Sequence, residues 1–206
     1  MVFEMRQQLF LPKVRYGDND SFVFPFLANK LTRYPKNVVF NRWSSGSPMP
    51  WHGFVDDWRL ESIWRDGSYQ LGKFAQSGAL VAVAPDFTVE HDYPLSVAYW
   101  QVYRSRLIAA AWQQAGVFTI PALQWSRLSI SPVLFAGLEH CQVVAVRSPT
   151  KGFERAWCDC AKQFLEVNAP KLVLHFGTSR GLAVWGDAGR QMNLQNSRGS
   201  NVLVSR

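Results

Sequence analysis

The chain has 206 residues, 48% hydrophobic and 14% aromatic with nine Trp, enough apolar surface to build one core and to exclude a disordered chain. Its formal charge of +7 is uneven, because residues 51–100 carry seven Asp/Glu against three Lys/Arg while the rest is basic; such a body favours a polyanionic partner through counterion release, although an excess without a Lys/Arg run also suits a merely soluble protein. Three Cys without framework spacing exclude a disulfide scaffold, and no run approaches the roughly 20 apolar residues of a membrane span, so the expectation is a cytoplasmic protein with no membrane partner.

Residues 1–43 read as an irregular arm, rich in Pro and Gly, ending in a short strand at Asn37 to Trp43. A Ser/Gly/Pro loop follows, then a helix from Val55 to Asp66 whose acidic first turn favours the helix dipole. A second short helix or turn is expected over Tyr69 to Gln76. Ala79 to Ala84 is apolar on both faces, as a strand covered from both sides should be, and Pro85 stops its ladder. Pro94 starts a long helix that Gly116 ends, and VFTIPALQW, Val117 to Trp125, is the next strand. SPVLFAGL, from Ser131, suits a helical turn or a strand. Gln142 to Val146 is a buried strand, Phe153 to Val167 a helix stopped by Asn168 and Pro170, and Lys171 to Phe176 another strand. Residues 178–206 form a basic tail or edge strands.

Strand and helix therefore alternate, which predicts an α/β domain with a mainly parallel sheet and crossover helices, either an open layered sheet or a small partial barrel. One domain spans 1–206, with its core at 54–177.

In such sheets ligands bind past the carboxyl ends of the strands. That rule gathers Asp86, Trp125, Arg147 with Ser148, and Gly177 with Thr178 as candidates. Asp86 suits a general base, or otherwise an acceptor for backbone N–H groups in its turn; Trp125 suits a packing lid better than a stacking platform; Arg147 suits an anion clamp. Arg180, Arg190 and Arg198 are candidate phosphate contacts. The YRSR segment, Tyr103 to Arg106, lies about 15 Å into its helix at ~1.5 Å per residue, and is expected at the far end of the unit from the crevice. Arg104 and Arg106 are also roughly 200° apart around the axis, so one is expected to pair with Asp56, Asp57 or Glu61 and the other to be exposed. His52, His91, His140 and His175 are scattered. His91, between Glu90 and Asp92, suits a solvated loop better than a metal site, and His175 reads as a satisfied strand histidine. The CxC pair Cys158 and Cys160 is a weak metal signal; no metal and no cofactor are expected. P-loop, dinucleotide-fingerprint, HExxH and GxSxG signatures are absent.

FVDDWRLESIW, KFAQSGALVAVAPDF, YRSR, QQAGVFTIPALQW and FAGLEHCQVVAV together resemble domain-of-unknown-function family 4417, which is uncharacterised and common in phages, plasmids and other bacterial mobile elements. The similarity covers about residues 54–177, with PDF at Pro85 to Phe87 and IPALQW at Ile120 to Trp125 among its most specific pieces. It implies a mobile-element context and transfers no activity or catalytic residue. Three readings stand: an accessory protein of a phage or plasmid that contacts nucleic acid, a small α/β enzyme for an anionic or sugar-like ligand, and an interaction module acting on a host factor.

Overall fold

The computed structural model describes residues 24–25, 27–34, 38–43, 50–65, 81–192 and 194. Among them run β1 (Ala28–Asn29), β2 (Asn41–Arg42), β3 (Trp51–Gly53), α1 (Asp57–Arg65), β4 (Val81–Pro85), α2 (Leu95–Gln114), β5 (Phe118–Ile120), α3 (Ser131–Phe135), β6 (His140–Cys141), β7 (Val143–Arg147), α4 (Glu154–Asn168), β8 (Leu172–Phe176) and β9 (Gly189–Met192). The expected helix at Tyr69 to Gln76 and Arg198 lie outside the described residues.

Every strand pair among the described residues is parallel. One sheet has the order β2-β3-β4-β5 and another β7-β8-β9, and a bridge between Ala122 and Ala145 joins them edge to edge in chain order. β1 and β6 form a separate parallel pair. Hydrogen bonds from Leu123 N to Ala145 O and from Ala145 N to Pro121 O carry the junction. The VFTIPALQW strand is thus shorter than expected: Pro121 lacks an N–H, so regular pairing stops at Ile120 and resumes for a single bridge.

The joined array is curled into a partial barrel. Alternation sends Val81 and Val83, Ile120 and Ala122, Val143 and Ala145, and Leu172, Leu174 and Phe176 to one concave face, where they share a core with Phe40, Phe54 and Met192. Across it, the ring of Phe176 at the end of β8 lies 5.7 Å from Phe40, 5.0 Å from Phe54 and 5.1 Å from His52, residues from the opposite end of the strand order. Only curvature brings them together. The opposite residues of the same strands, such as Ala82, Ala84, Val144, Val146 and Val173, face the helices.

β3 answers no sequence expectation, because Trp51, His52 and Gly53 carry neither alternation nor β-branched residues. Tertiary contact makes it a strand, and glycine makes it fit: a Cβ at Gly53 would lie 2.4 Å from Ala84 O. β9 resolves the choice left open for the start of the tail, pairing as an edge strand with β8 from Val173 opposite Gly189 to Phe176 opposite Met192. SPVLFAGL starts as helix α3, with Pro132 in its first turn.

α2 corrects the reading of YRSR. The helix projects beyond the strand ends, so Ser105 Oγ reaches Pro85 O at 2.7 Å and the Arg104 guanidinium lies 3.8 Å over the Phe87 ring. YRSR therefore sits level with the carboxyl end of β4, on the helix side of the sheet, and not at the far end. Arg104 takes the expected ion pair, with Glu61 at 2.5 Å. Arg106 is not exposed. It is fully buried, and its guanidinium donates to Ala136 O at 3.1 Å, Ala122 O at 2.8 Å and Leu134 O at 2.9 Å. A planar fork of donors is matched to carbonyls that the α3 turn and the β5–β7 junction leave unpaired, so the residue is a structural staple.

Candidate functional site

The carboxyl ends of the parallel strands form one side of the molecule, and most of the expected site residues are placed there. β7 ends at Arg147, whose side chain is exposed and whose guanidinium has no hydrogen-bond partner among the described residues. Its own backbone is held rigidly, since Trp157 Nε1 donates to Arg147 O at 3.1 Å. Ser148 N donates to Phe176 O at 2.8 Å, and Ser148 Oγ accepts from Thr178 N at 3.1 Å, which stitches the loop after β7 to the loop after β8. Gly177 between them has φ of 110° and would place a Cβ 2.5 Å from Ser148 Oγ, so only glycine lets the loops meet. Thr178 Oγ1 in turn accepts from Arg180 Nε at 3.2 Å.

These residues line a cavity of about 550 Å³: Arg147, Ser148, Thr150, Gly177, Thr178 and Arg180, with Pro149 and Leu194. Its polar side chains are guanidinium and hydroxyl, and no carboxylate lines it among the described residues. Glu154, the acidic neighbour of Arg180, accepts from Gly152 N at 2.8 Å in the turn before its helix.

Asp86 follows β4 on the neighbouring part of the rim. Its N–H donates to Gly53 O, whereas its half-buried carboxyl has no hydrogen-bond partner among the described residues. Loss of hydration pushes that carboxyl up from 3.8 to about 7; Arg147 and Arg106 pull it down, and Asp57 pushes it further up. A carboxyl that titrates near neutrality can both accept and return a proton. The turn-acceptor alternative for Asp86 is instead filled by Asp57, which accepts from Thr88 N at 3.2 Å and Thr88 Oγ1 at 2.9 Å.

Trp125 and Arg190 lie apart from this group. Trp125 packs edge-on against His91 at 5.5 Å and lies 6.3 Å from Phe153, in an aromatic cluster on the outer rim. His91 itself bonds Ser126 Oγ through Nδ1 at 3.2 Å. Arg190 is exposed early on β9, where its charge acts on Tyr34.

Two buried polar residues absent from the expected site are His52, on the concave face against Phe176, and Gln124. His52 is fully buried, and burial with the charges of Arg42 and Arg147 drives its pKa down to about 3. Gln124 is 2% exposed. No sequence signal marks His52, because its strand carries neither alternation nor β-branched residues.

A larger cavity, about 940 Å³, opens at the amino ends of the strands between Lys30, Arg33, Gln113, His140 and Lys171. No group of three or more His, Cys, Asp or Glu that could hold a metal occurs among the described residues. Nor is any described helix long and apolar enough to cross a membrane.

A curled, parallel α/β domain with this chain's motifs matches the profile of the family described as domain of unknown function DUF4417 over residues 28–184, and the chain belongs to that family. Phage proteins are among its relatives. It is 32% identical over 135 residues to the Gene 1 protein of Mycobacterium phage D29, covering 63% of this chain and 48% of that protein. To the Gene 1 protein of Mycobacterium phage L5 it is 28% identical over 184 residues, covering 87% of this chain and 76% of that one. The chain thus spans about half the length of the D29 relative. No solved structure matches it.

Proposed function

We propose that this protein binds the phosphate of a nucleotide unit, free or within a nucleic acid, at the carboxyl ends of its parallel strands. The observation that carries the reading is the cavity of Arg147, Ser148, Thr150, Gly177, Thr178 and Arg180, which no carboxylate lines among the described residues. Arg147 and Arg180 clamp the phosphate oxygens, and the Ser148 and Thr150 hydroxyls supply further donors. Asp86, beside the clamp and ionising near pH 7, serves as general base for a bound hydroxyl or water. The family's phage relatives and the +7 charge favour an accessory role in nucleic-acid processing.

Calorimetric titration with ribose 5-phosphate and with a short single-stranded DNA distinguishes the two sources of phosphate. Saturable binding of ribose 5-phosphate that Arg147→Ala and Arg180→Ala each weaken about tenfold supports a nucleotide site. Tight DNA binding whose affinity falls steeply with salt, without ribose 5-phosphate binding, supports a nucleic-acid surface. If neither ligand binds at low salt, the clamp does not exist.

A further inference from the structure

The cavity of about 940 Å³ at the amino ends of the strands is lined from four distant segments, within residues 28–33, 113–119, 139–142 and 168–171. Hydrogen bonds tie these segments to one another. Gln113, near the end of α2, donates through Nε2 to Ala28 O at 3.1 Å and accepts from Ala28 N at 3.4 Å. Gln142 is the hub: its Oε1 accepts from Leu31 N at 3.1 Å, its N–H donates to Asn29 O at 3.2 Å, and its carbonyl accepts from Lys171 N at 2.9 Å. Asn29, on the buried floor, donates to Thr119 O and Val143 O and accepts from Val143 N. The walls are therefore fixed before any ligand arrives, and the volume lies within the roughly 300–1,000 Å³ of small-molecule sites.

The same hydrogen bonds bring three cations together. Lys30 stands between Asn29 and Leu31, both bonded to Gln142, and Lys171 is bonded to Gln142 directly. Arg33 follows Lys30 by one tight turn, its N–H donating to Lys30 O at 2.9 Å. All three residues are exposed, line the cavity and have no carboxylate within ion-pair distance among the described residues. The acidic residue in the lining, Glu139, accepts from Gly137 N at 3.2 Å.

Cations near the carboxyl ends of helices can serve only to balance the helix dipole, and both α2 and α4 end at this cavity. Magnitude decides against that as the whole account. Each helix end counts for about half a negative charge, so the two together offset about one cation and Glu139 a second, which leaves the third unmatched. The helix ends are also partly closed within the chain, since Val117 N donates to Trp112 O at 3.0 Å and Ala169 N to Leu165 O at 3.2 Å. Asn168, the last residue of α4, lines the same cavity, and neither its Oδ1 nor its Nδ2 has a hydrogen-bond partner among the described residues. An amide left unpaired costs about 1–3 kcal/mol, which a ligand oxygen would recover.

We infer that this amino-end cavity is a second binding site, which takes a ligand carrying a run of phosphates and holds it through Lys30, Arg33, Lys171 and the Asn168 amide. Phosphate fits because its anionic oxygens only accept, and the free groups of the wall are ammonium, guanidinium and amide donors. A run fits better than a single group because the cations come from two separate segments of the lining. A free oligophosphate and a nucleic-acid backbone present this same chemistry. The site is distinct from the clamp at Arg147 and Arg180 and does not depend on it: Gln142 precedes β7 and Arg147 ends it, so at ~3.3 Å per residue the two lie about 16 Å apart.

The test is ¹H–¹⁵N NMR of the full chain at low salt, titrated separately with tripolyphosphate and with a short single-stranded DNA. At least one of them is expected to move the Asn168 side-chain amide and the Lys30 backbone amide saturably. The triple variant Lys30→Ala/Arg33→Ala/Lys171→Ala, in which only exposed residues change, is expected to weaken that response about tenfold or more. A response to tripolyphosphate supports a site for a free oligophosphate, and a response to DNA alone supports a site for a nucleic-acid backbone. Arg147→Ala/Arg180→Ala keeps the Asn168 response, so a protein that fails to bind ribose 5-phosphate but shows this response loses the clamp and keeps the amino-end site. The inference is overturned if neither ligand moves the Asn168 amide, or if the triple variant responds as the parent does.

Discussion

Replacing Asp86 by Asn removes one titrating group from the rim while keeping its size and its backbone bond to Gly53. In the folded protein the carboxyl holds its proton up to about pH 7, whereas in the unfolded chain it releases it near 3.8. Between those values the folded state binds more protons, so stability is fully present below about pH 4, declines as pH rises toward 7, and is level above it. At about 1.4 kcal/mol per tenfold change in proton affinity, the whole interval corresponds to about 4 kcal/mol. Asp86 keeps some contact with solvent, which reduces the expected effect to about 2–4 kcal/mol. Asp86→Asn escapes this penalty. Urea unfolding of both proteins at pH 4 and pH 8 should show near-equal stabilities at the acid end and a variant more stable by that amount at the alkaline end. Because other groups titrate alike in both, the difference isolates Asp86. A difference that stays constant within about 0.5 kcal/mol would mean that the carboxyl ionises normally, and Asp86 would then lose its place as a base working at neutral pH. In Arg147→Ala the Asp86 titration, followed by carboxyl ¹³C NMR, should move further up, because the guanidinium that favours the anion is gone.

Arg106→Met should destabilise the protein by about 3 kcal/mol or more in chemical denaturation, since it strands three buried carbonyls at about 1–3 kcal/mol each; a loss under 1 kcal/mol would rule out the staple. Lys in its place should not rescue, because one ammonium cannot reach all three acceptors as a planar fork does. Gly53→Ala puts a Cβ 2.4 Å from Ala84 O and 2.7 Å from Pro85 Cα, and should cost about 2 kcal/mol or more while prying β3 from β4 and weakening ligand binding at the rim. Unchanged melting and binding would show that β3 and β4 tolerate separation. Glu61→Gln should cost less than about 1 kcal/mol, because its pair with Arg104 is partly open to solvent and Arg104 retains its seat over Phe87.

The legible parts of this chain are those where composition itself encodes environment. VAVAP, VVAV and LVLHF are apolar on both faces because both faces are covered, and Trp157, Cys160, Ala161 and Phe164 mark one side of α4 by their spacing. The strand–helix–strand unit therefore led to the rim, and to Asp86, Arg147 and Ser148 as its neighbours. Trp125 was misplaced as a strand-closing group because Pro121 ends the regular pairing early and the residues beyond turn toward the aromatic cluster of His91 and Phe153. Helical spacing says only that Arg104 and Arg106 face apart, which suggests one exposed partner, whereas a long helix packed against α3, β4 and β5 buries both.

What the sequence by itself determined is a parallel α/β chain and membership of a family carried by phage proteins. Tertiary structure decided the curl of the sheet, the existence of β3, and hence the presence of His52 against Phe54 and Phe176 on the concave face. The physical reason is that local periodicity reports which side of a strand is dry, whereas curvature and pairing between distant strands decide which dry sides face one another.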